Sequence, residues 1–249
     1  MNLTLSWSIN YQYDGIEVYL DDNHVGTYAF LPEPVCDICS YPISPESEIC
    51  SAKIRWPGNH PKYISNISAI GRYVSRYKRL ITKKGLFLSD HILDLKNNSS
   101  IAEPLGLSII ECIRQKHNIL LNFDFLIAIP QHKSNLHYNY YDENKIFNPA
   151  DSLAECVSRE LNIPITSPIK KTRSQSMTDL HSDQRQEAVK NLYVCESDNI
   201  QGKSILIVDD VATTCQTLDA CAYALLESGA NEVRAFVCGR TVKNANPPY

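Results

Sequence analysis

A nine-residue string near the carboxyl end combines two carboxylates, three hydroxyls and a turn: Asp209-Asp210-Val211-Ala212-Thr213-Thr214-Cys215-Gln216-Thr217. The apolar run Ile205-Leu206-Ile207-Val208 leads into it, and Leu218, Cys221, Ala222, Leu225 and Leu226 follow at helical spacing. A strand that turns into a helix brings several backbone N–H groups to one point, where the helix dipole also favours an anion. Thr213, Thr214 and Thr217 add hydroxyl donors. Asp209 and Asp210 do not favour a phosphate themselves. They suit sugar hydroxyls, which donate hydrogen bonds, or a hydrated Mg2+. The string therefore reads as an anion site beside carboxylates suited to sugar hydroxyls or a hydrated Mg2+. For any single residue, such as Asp210 or Thr217, the alternative is a plain capping or turning role.

A second group is Cys36-Asp37-Ile38-Cys39, with Cys50 following after ten intervening residues. That is the knuckle spacing of a Zn2+ site, and His60 can complete a Cys3His set. The alternative is that the cluster holds no metal. A zinc here would be structural, ordering a segment with Pro42, Pro45, Pro57 and Pro61 that is too small for its own core. The other six of the nine cysteines are scattered, several in apolar segments where a thiol acts as a small hydrophobe. An odd count without a secretion signal argues against a disulfide framework.

The elements that must position these groups fall into three parts. Residues 1–35 read as a β-hairpin segment, from the alternation of Leu3, Leu5, Trp7 and Ile9 and the pair Ile16–Leu20 and Val25–Phe30. Residues 36–62 form the cysteine module. Residues 63–249 alternate strands and helices, which indicates an α/β domain with a mostly parallel sheet. In that part Ile70, Tyr73, Val74, Tyr77 and Leu80 have helical spacing, with Arg72, Arg76, Lys78 and Arg79 on other faces. A second helix is expected within Ile101–Lys116 and a third over Pro149–Leu161, with Pro in its first turn. Strands are expected at Phe123–Ile129, Leu192–Cys195, Ile205–Val208 and Val233–Cys238, with Ile163–Ile169 as an edge strand. The polar stretch 170–190 reads as a long loop of the functional kind. Gly229 is placed to close the last helix.

Hydrophobic residues at 43% and charged residues at 21% of 249 describe an ordinary globular composition. A formal charge of -4 excludes a global basic field. Arg72, Arg76, Lys78, Arg79, Lys83 and Lys84 make the densest basic stretch, either a solvated face or a contact surface for a phosphate backbone. No apolar run approaches a membrane span and no signal peptide opens the chain, so a cytoplasmic protein without a membrane partner is expected.

Residues Ile205 to Thr217 resemble the PRPP-binding motif of type I phosphoribosyltransferases, a hydrophobic strand and two acids followed by Thr-Thr-Gly-x-Thr. The likeness is closer to the ComF-like branch, associated with DNA uptake in competent bacteria. That branch has an N-terminal Cys-x-x-Cys zinc module, a Val-Pro strand end, an Arg-Gly-Phe-Asn-Gln string and a polar Gln…Leu…Arg…Asn loop. Ile129-Pro130 matches the strand end, and Lys145-Ile146-Phe147-Asn148-Pro149 stands at the string. Gln175, Leu180, Arg185 and Asn191 stand at the loop in looser spacing. The resemblance spans roughly residues 67 to 241; residues 1–35 have no counterpart.

The resemblance implies a type I phosphoribosyltransferase-like sheet flanked by helices and a Mg2+-dependent transfer of a phosphoribosyl group. Asp209 and Asp210 would hold the ribose 2′ and 3′ hydroxyls, directly or through Mg2+, and, with Arg185, form the catalytic set. Val211, Ala212, Thr213, Thr214, Cys215, Gln216 and Thr217 would cradle the 5-phosphate. Gln131, His132 and Lys133 would meet pyrophosphate, and a mobile loop with Arg173, Gln175 and Arg185 would close over the site. The departures are Cys215 at the motif's glycine, Lys145 and Ile146 at Arg-Gly, and Lys53 at the module's fourth cysteine. A side chain at the glycine position in the left-handed region costs about 1–2 kcal/mol. A thiol beside a helix start is also expected to be acidified, which admits a redox role. Three readings stay open: an enzyme acting on a base or nucleoside acceptor, a PRPP- or nucleotide-binding regulator without turnover, and an accessory protein acting on single-stranded DNA or with DNA-processing proteins. A homo-oligomer is left open as well.

Overall fold

The computed structural model describes residues 5–10, 15–20, 23–29, 35–41, 43, 50, 52, 60–73, 87–116, 122–131, 137–139, 142–172 and 190–241. Several expected positions lie outside these: Arg76 to Lys84, His132 and Lys133, and the polar segment with Arg173, Gln175, Leu180 and Arg185.

From the N-terminus, β1 (Leu5–Asn10), β2 (Gly15–Leu20) and β3 (Asn23–Ala29) form an antiparallel meander. β4 (Asn66–Tyr73) precedes α1 (Phe87–Leu95) and α2 (Ala102–Lys116). β5 (Phe125–Ala128) is followed by a hairpin of β6 (His137–Asn139) and β7 (Asp142–Phe147), then α3 (Pro149–Leu161). A short antiparallel pair, β8 (Ile169–Lys171) and β9 (Tyr193–Cys195), leads to β10 (Ser204–Ala212), α4 (Gln216–Glu227) and β11 (Glu232–Thr241).

The centre is a parallel four-stranded sheet in the order β4-β11-β10-β5. β10 is central and covered on both faces, which is why its sequence is a continuous apolar run instead of an alternation. Leu206 and Val208 pack with Ile70, Phe236 and Cys238 against Leu88, Ile92, Leu105, Ile109, Leu153 and Val157 of α1, α2 and α3. Ile205 and Ile207 point the other way, toward Leu218, Cys221 and Leu225 of α4 and Tyr193 of β9. Cys39, Tyr41 and Cys50 belong to this second layer, so the cysteine segment shares the core of the sheet. The knuckle is also bonded to the sheet edge, through Ile67 N–H to the Ile38 carbonyl and Ser40 Oγ–H to the Ile67 carbonyl.

The helix termini follow the local chemistry. Asn148 caps α3 by accepting from Ala150 N–H, Pro149 occupies the first turn, and Asn162 ends the helix in the left-handed region at φ 54°. Gly229, at φ 93°, closes α4 as expected. Between the two helices on the first face, Gly106 of α2 lets Cys156 of α3 approach closely: a Cβ there would lie 2.6 Å from Cys156 Sγ.

Three expectations need correction. Residues 66–73 are a strand, not the start of a helix; burial on both faces removes the period of two and leaves Ile70 and Tyr73 at a spacing that mimics a helix. β10 does not stop at Val208 but runs through both aspartates to Ala212, because β11 pairs with it as far as Arg240. Within 163–169 only Ile165 bridges to β5, at Leu126, and the strand proper is β8, paired with β9. Helix α1 has no counterpart among the expected elements.

Candidate functional site

With β10 extended to Ala212, the turn into α4 shrinks to Thr213, Thr214 and Cys215. Cys215 stands at the helix start with φ 63° and ψ 1°, the left-handed conformation that glycine adopts without strain, and offers no side-chain acceptor to cap the helix. Its thiol is buried in the core layer shared with Cys39 and Cys50. Burial pushes that thiol up to about 11, the reverse of the acidified thiol expected at a helix start, and Arg240 opposes the rise only in part. A redox role is not supported by this environment. Around the turn, Thr213 Oγ1 lies 3.3 Å from Thr241 Oγ1, and Thr214 donates to Gln216 Oε1 at 3.4 Å.

Asp209 and Asp210 are each only 8% exposed. Strand alternation turns them to opposite faces of the sheet. Each accepts a bond from the next backbone N–H: Asp210 N–H to Asp209 Oδ1 at 2.9 Å, and Val211 N–H to Asp210 Oδ1 at 2.8 Å. Burial, then the neighbouring Asp210 charge, holds the Asp209 carboxyl well above its usual range. The other oxygen of Asp210 meets Lys96, just past α1, at 3.4 Å, and that pairing raises the Lys96 ammonium. Opposite faces and an engaged oxygen do not make a two-carboxylate chelate for a bare Mg2+. They leave acceptor capacity for hydroxyl donors.

Parallel pairing puts the end of β5 beside the end of β10, so Pro130 and Gln131 share the carboxyl edge with the aspartates. Ile129 N–H bonds the Val208 carbonyl at 3.1 Å. Asn148 donates to the Ile129 carbonyl at 3.0 Å while capping α3, and Tyr193 OH donates to the Pro130 carbonyl at 3.3 Å. Lys145 and Ile146 lie on β7.

The four expected metal ligands come together: one donor atom from each of Cys36, Cys39, Cys50 and His60 lies within 4.8 Å of the others. Cys39 Sγ is 3.6 Å from Cys50 Sγ, and Cys36 Sγ is 3.5 Å from His60 Nε2. The edges of a tetrahedral zinc site with thiolate bonds are about 3.8 Å, so the donor set fits Zn2+. His60 Nδ1–H donates to the Pro61 carbonyl at 3.1 Å, which directs Nε2 to the cluster. The Cys39 contact, and next His60, depress the Cys36 thiol against the effect of burial, while the bond to Cys36 and burial push Cys39 up.

Sequence reasoning missed two residues that join these groups. Arg240, 1% exposed at the end of β11, donates through Nε to the Cys39 carbonyl at 2.7 Å and through Nη1 to the Ala212 carbonyl at 2.8 Å and to the Thr213 carbonyl. Asp219, in the first turn of α4, accepts from the backbone N–H groups of Lys62, Tyr63 and Ile64 at 2.9, 2.7 and 3.1 Å. Both contacts join segments over 150 residues apart, so no local pattern announces them.

Residues 151–244 match the model of the phosphoribosyl transferase domain. The chain is 28% identical over 219 residues to the DNA utilization protein YhgH of Escherichia coli O157:H7, a match covering 84% of this chain and 91% of that protein. It is 27% identical, with the same coverage, to the protein of that name from Shigella flexneri. Among solved structures, glutamine phosphoribosylpyrophosphate (PRPP) amidotransferase from B. subtilis complexed with ADP and GMP aligns with TM-score 0.37 and 16% identity, over 90% of this chain and 35% of that one. The allosteric regulatory enzyme of purine biosynthesis aligns with TM-score 0.36 and 19% identity, over 56% of this chain and 25% of that one. The chain thus spans about a third or less of the length of these two structures. A parallel sheet flanked by helices, with the acidic strand-to-helix loop inside the matched segment, defines a type I phosphoribosyltransferase-like domain. Within that class the chain is similar, over most of its length, to the DNA utilization protein YhgH, in keeping with the resemblance to the ComF-like branch.

Proposed function

We propose that the chain binds PRPP, or a nucleotide carrying ribose 5-phosphate, at residues 209–217. The observation that carries this reading is the Thr213–Cys215 turn, held in a glycine-like conformation at the start of α4 directly after two buried carboxylates. The 5-phosphate takes the turn and the uncapped helix start. Asp209 and Asp210 accept from the ribose hydroxyls, and Gln131, with His132 and Lys133, meets the pyrophosphate. Mg2+, when bound with the ligand, would neutralise charge on the pyrophosphate, and Asp209 and Asp210 are the residues that would face it.

Turnover is the further step of the same reading. The bond from ribose C1 to the pyrophosphate oxygen breaks, a bond from C1 to a base or nucleoside acceptor forms, and pyrophosphate leaves with the electron pair. The transition state is cationic at C1, so charge stabilisation and exclusion of water matter more than a strong base. Arg185, Arg173 and Gln175 are proposed as the segment that closes over it. A second reading is favoured by the name of the relatives, DNA utilization protein: the sugar site serves regulation, and the chain works in DNA handling.

Calorimetric titration with PRPP, with and without Mg2+, tests binding. The wild type is expected to bind, and Cys215→Gly to bind more tightly, since the lost Cβ lets the backbone approach phosphate more closely. No heat from either protein at millimolar PRPP sinks the proposal. Pyrophosphate release across bases and nucleosides separates enzyme from regulator. Single-stranded DNA binding that weakens steeply with salt supports the second reading.

A further inference from the structure

We infer that Arg240 is a positioning residue that makes the shape of the Ala212–Cys215 turn depend on the metal held by Cys36, Cys39, Cys50 and His60. The inference rests on the ribose-phosphate reading of that turn.

The argument begins with peptide geometry. In a trans peptide the carbonyl of one residue and the N–H of the next point in opposite directions. Arg240 Nη1 bonds the carbonyls of Ala212 and Thr213, so it sets the direction of the Thr213 and Thr214 N–H groups. These are the donors a phosphate at the turn would meet. The same guanidinium is anchored on the knuckle, by Nε on the Cys39 carbonyl and by stacking over Tyr41, 5.1 Å from the ring centroid. Tyr41 in turn accepts from Cys36 N–H through its carbonyl at 2.8 Å. The turn and two of the metal ligands therefore share one rigid fork.

The charge balance points the same way. Arg240 is buried, yet no ion pair among the described residues includes it. Its register neighbour on β4 is another cation, Arg72, whose Nε is buried without a partner among the described residues. A buried guanidinium beside a second cation needs negative charge nearby. Three thiolates around a divalent ion supply it, with one net negative charge on the cluster. The other end of the cluster is fastened too. Directly after His60, the N–H groups of Lys62, Tyr63 and Ile64 are gathered by Asp219 in the first turn of α4. Metal binding draws these two ends together and so holds the turn and the helix start in one arrangement.

Coupling of this kind is reciprocal in binding free energy. PRPP affinity is measured by calorimetry on zinc-loaded full-length protein and on the same protein after chelation under reducing conditions. Zinc affinity is measured by equilibrium competition with a chromogenic chelator, with and without PRPP. Zinc is expected to tighten PRPP binding by roughly fivefold or more, and PRPP to tighten zinc binding by the same factor. Arg240→Gln, with zinc still bound, is expected to weaken PRPP and make its affinity indifferent to zinc, while Arg240→Lys restores part of the difference. If the chelated protein does not stay folded, the zinc competition on the native protein and the Arg240→Gln titration decide the matter alone. PRPP binding that is equal with and without zinc, or a zinc affinity untouched by PRPP, overturns the inference and leaves the ribose-phosphate site standing. Absence of PRPP binding to zinc-loaded wild type overturns both.

Discussion

At the scale of single residues, Asp209 shows how a proposed binding group and a stabilising group differ. Its carboxyl is raised by burial and by Asp210, so the native state holds the proton more tightly than the unfolded chain does. A carboxyl raised on folding destabilises as it ionises: the penalty is absent below the unfolded value of about 4, grows as pH rises from there, and is complete above the folded value. Asp209→Asn is therefore expected to raise the melting temperature at pH 7, with a gain that fades as pH approaches 4. For a chain of this length each kcal/mol corresponds to roughly 2–4 °C. The same substitution should abolish PRPP binding. Thermal melts across pH, beside one titration, check both; a variant that melts lower at pH 7 contradicts the account. Cys215 allows a second comparison. Both Cys215→Gly and Cys215→Ala lose the sulfur, but only glycine relieves φ 63°, so Gly should be the more stable by about 1 kcal/mol in urea unfolding.

The elements explain what was legible in the sequence and what was not. The strand-turn-helix of β10 and α4 could be read because local spacing reports it, and Pro149 marked the start of α3, whereas its Asn148 cap emerges only from the structure. Residues 66–73 misled because two-sided burial erases the alternation that identifies a strand. The helical signal for α1 consists of Leu88, Ile92 and Leu95 alone, which are 2%, 0% and 0% exposed, in an element of nine residues that is too short for a sustained period. Asn148 is the element-scale joint of the candidate site, since one side chain both caps α3 and holds the Ile129 carbonyl before Pro130. Asn148→Ala should lower stability by about 1–2 kcal/mol, from a lost cap and an unpaired buried carbonyl. If binding at the pyrophosphate turn is as proposed, PRPP affinity falls with it. Asn148→Asp, which keeps the cap but cannot donate, separates the two effects: capping should survive and ligand affinity should not.

For the whole molecule, the long-range contacts decide the architecture, and these the sequence could not reveal. Arg240 to Cys39 and Asp219 to Tyr63 turn an apparent N-terminal appendage into a layer of the central core. The meander lies on the other side, β3 against α1 and β4 and β1 against α2. No helix among the described residues is long and apolar enough to cross a membrane. Because the cysteine segment is part of the core, zinc removal is expected to lower the melting temperature of the full chain in a single transition. Two separate transitions, with only the first sensitive to chelation, would speak against a shared core.

The distribution of the cysteines has a practical consequence. Cys156, Cys221 and Cys238 are buried in the two core layers with their thiols pushed up by burial, and Cys215 is pushed up likewise. Such thiols are poor nucleophiles toward alkylating reagents. Cys36, Cys39 and Cys50 would be masked by a metal and released together when it leaves. Cys195 is free and partly exposed and reacts whether or not a metal is bound, so the alkylation that appears only when the metal leaves becomes the count of empty sites, readable by intact mass without a label.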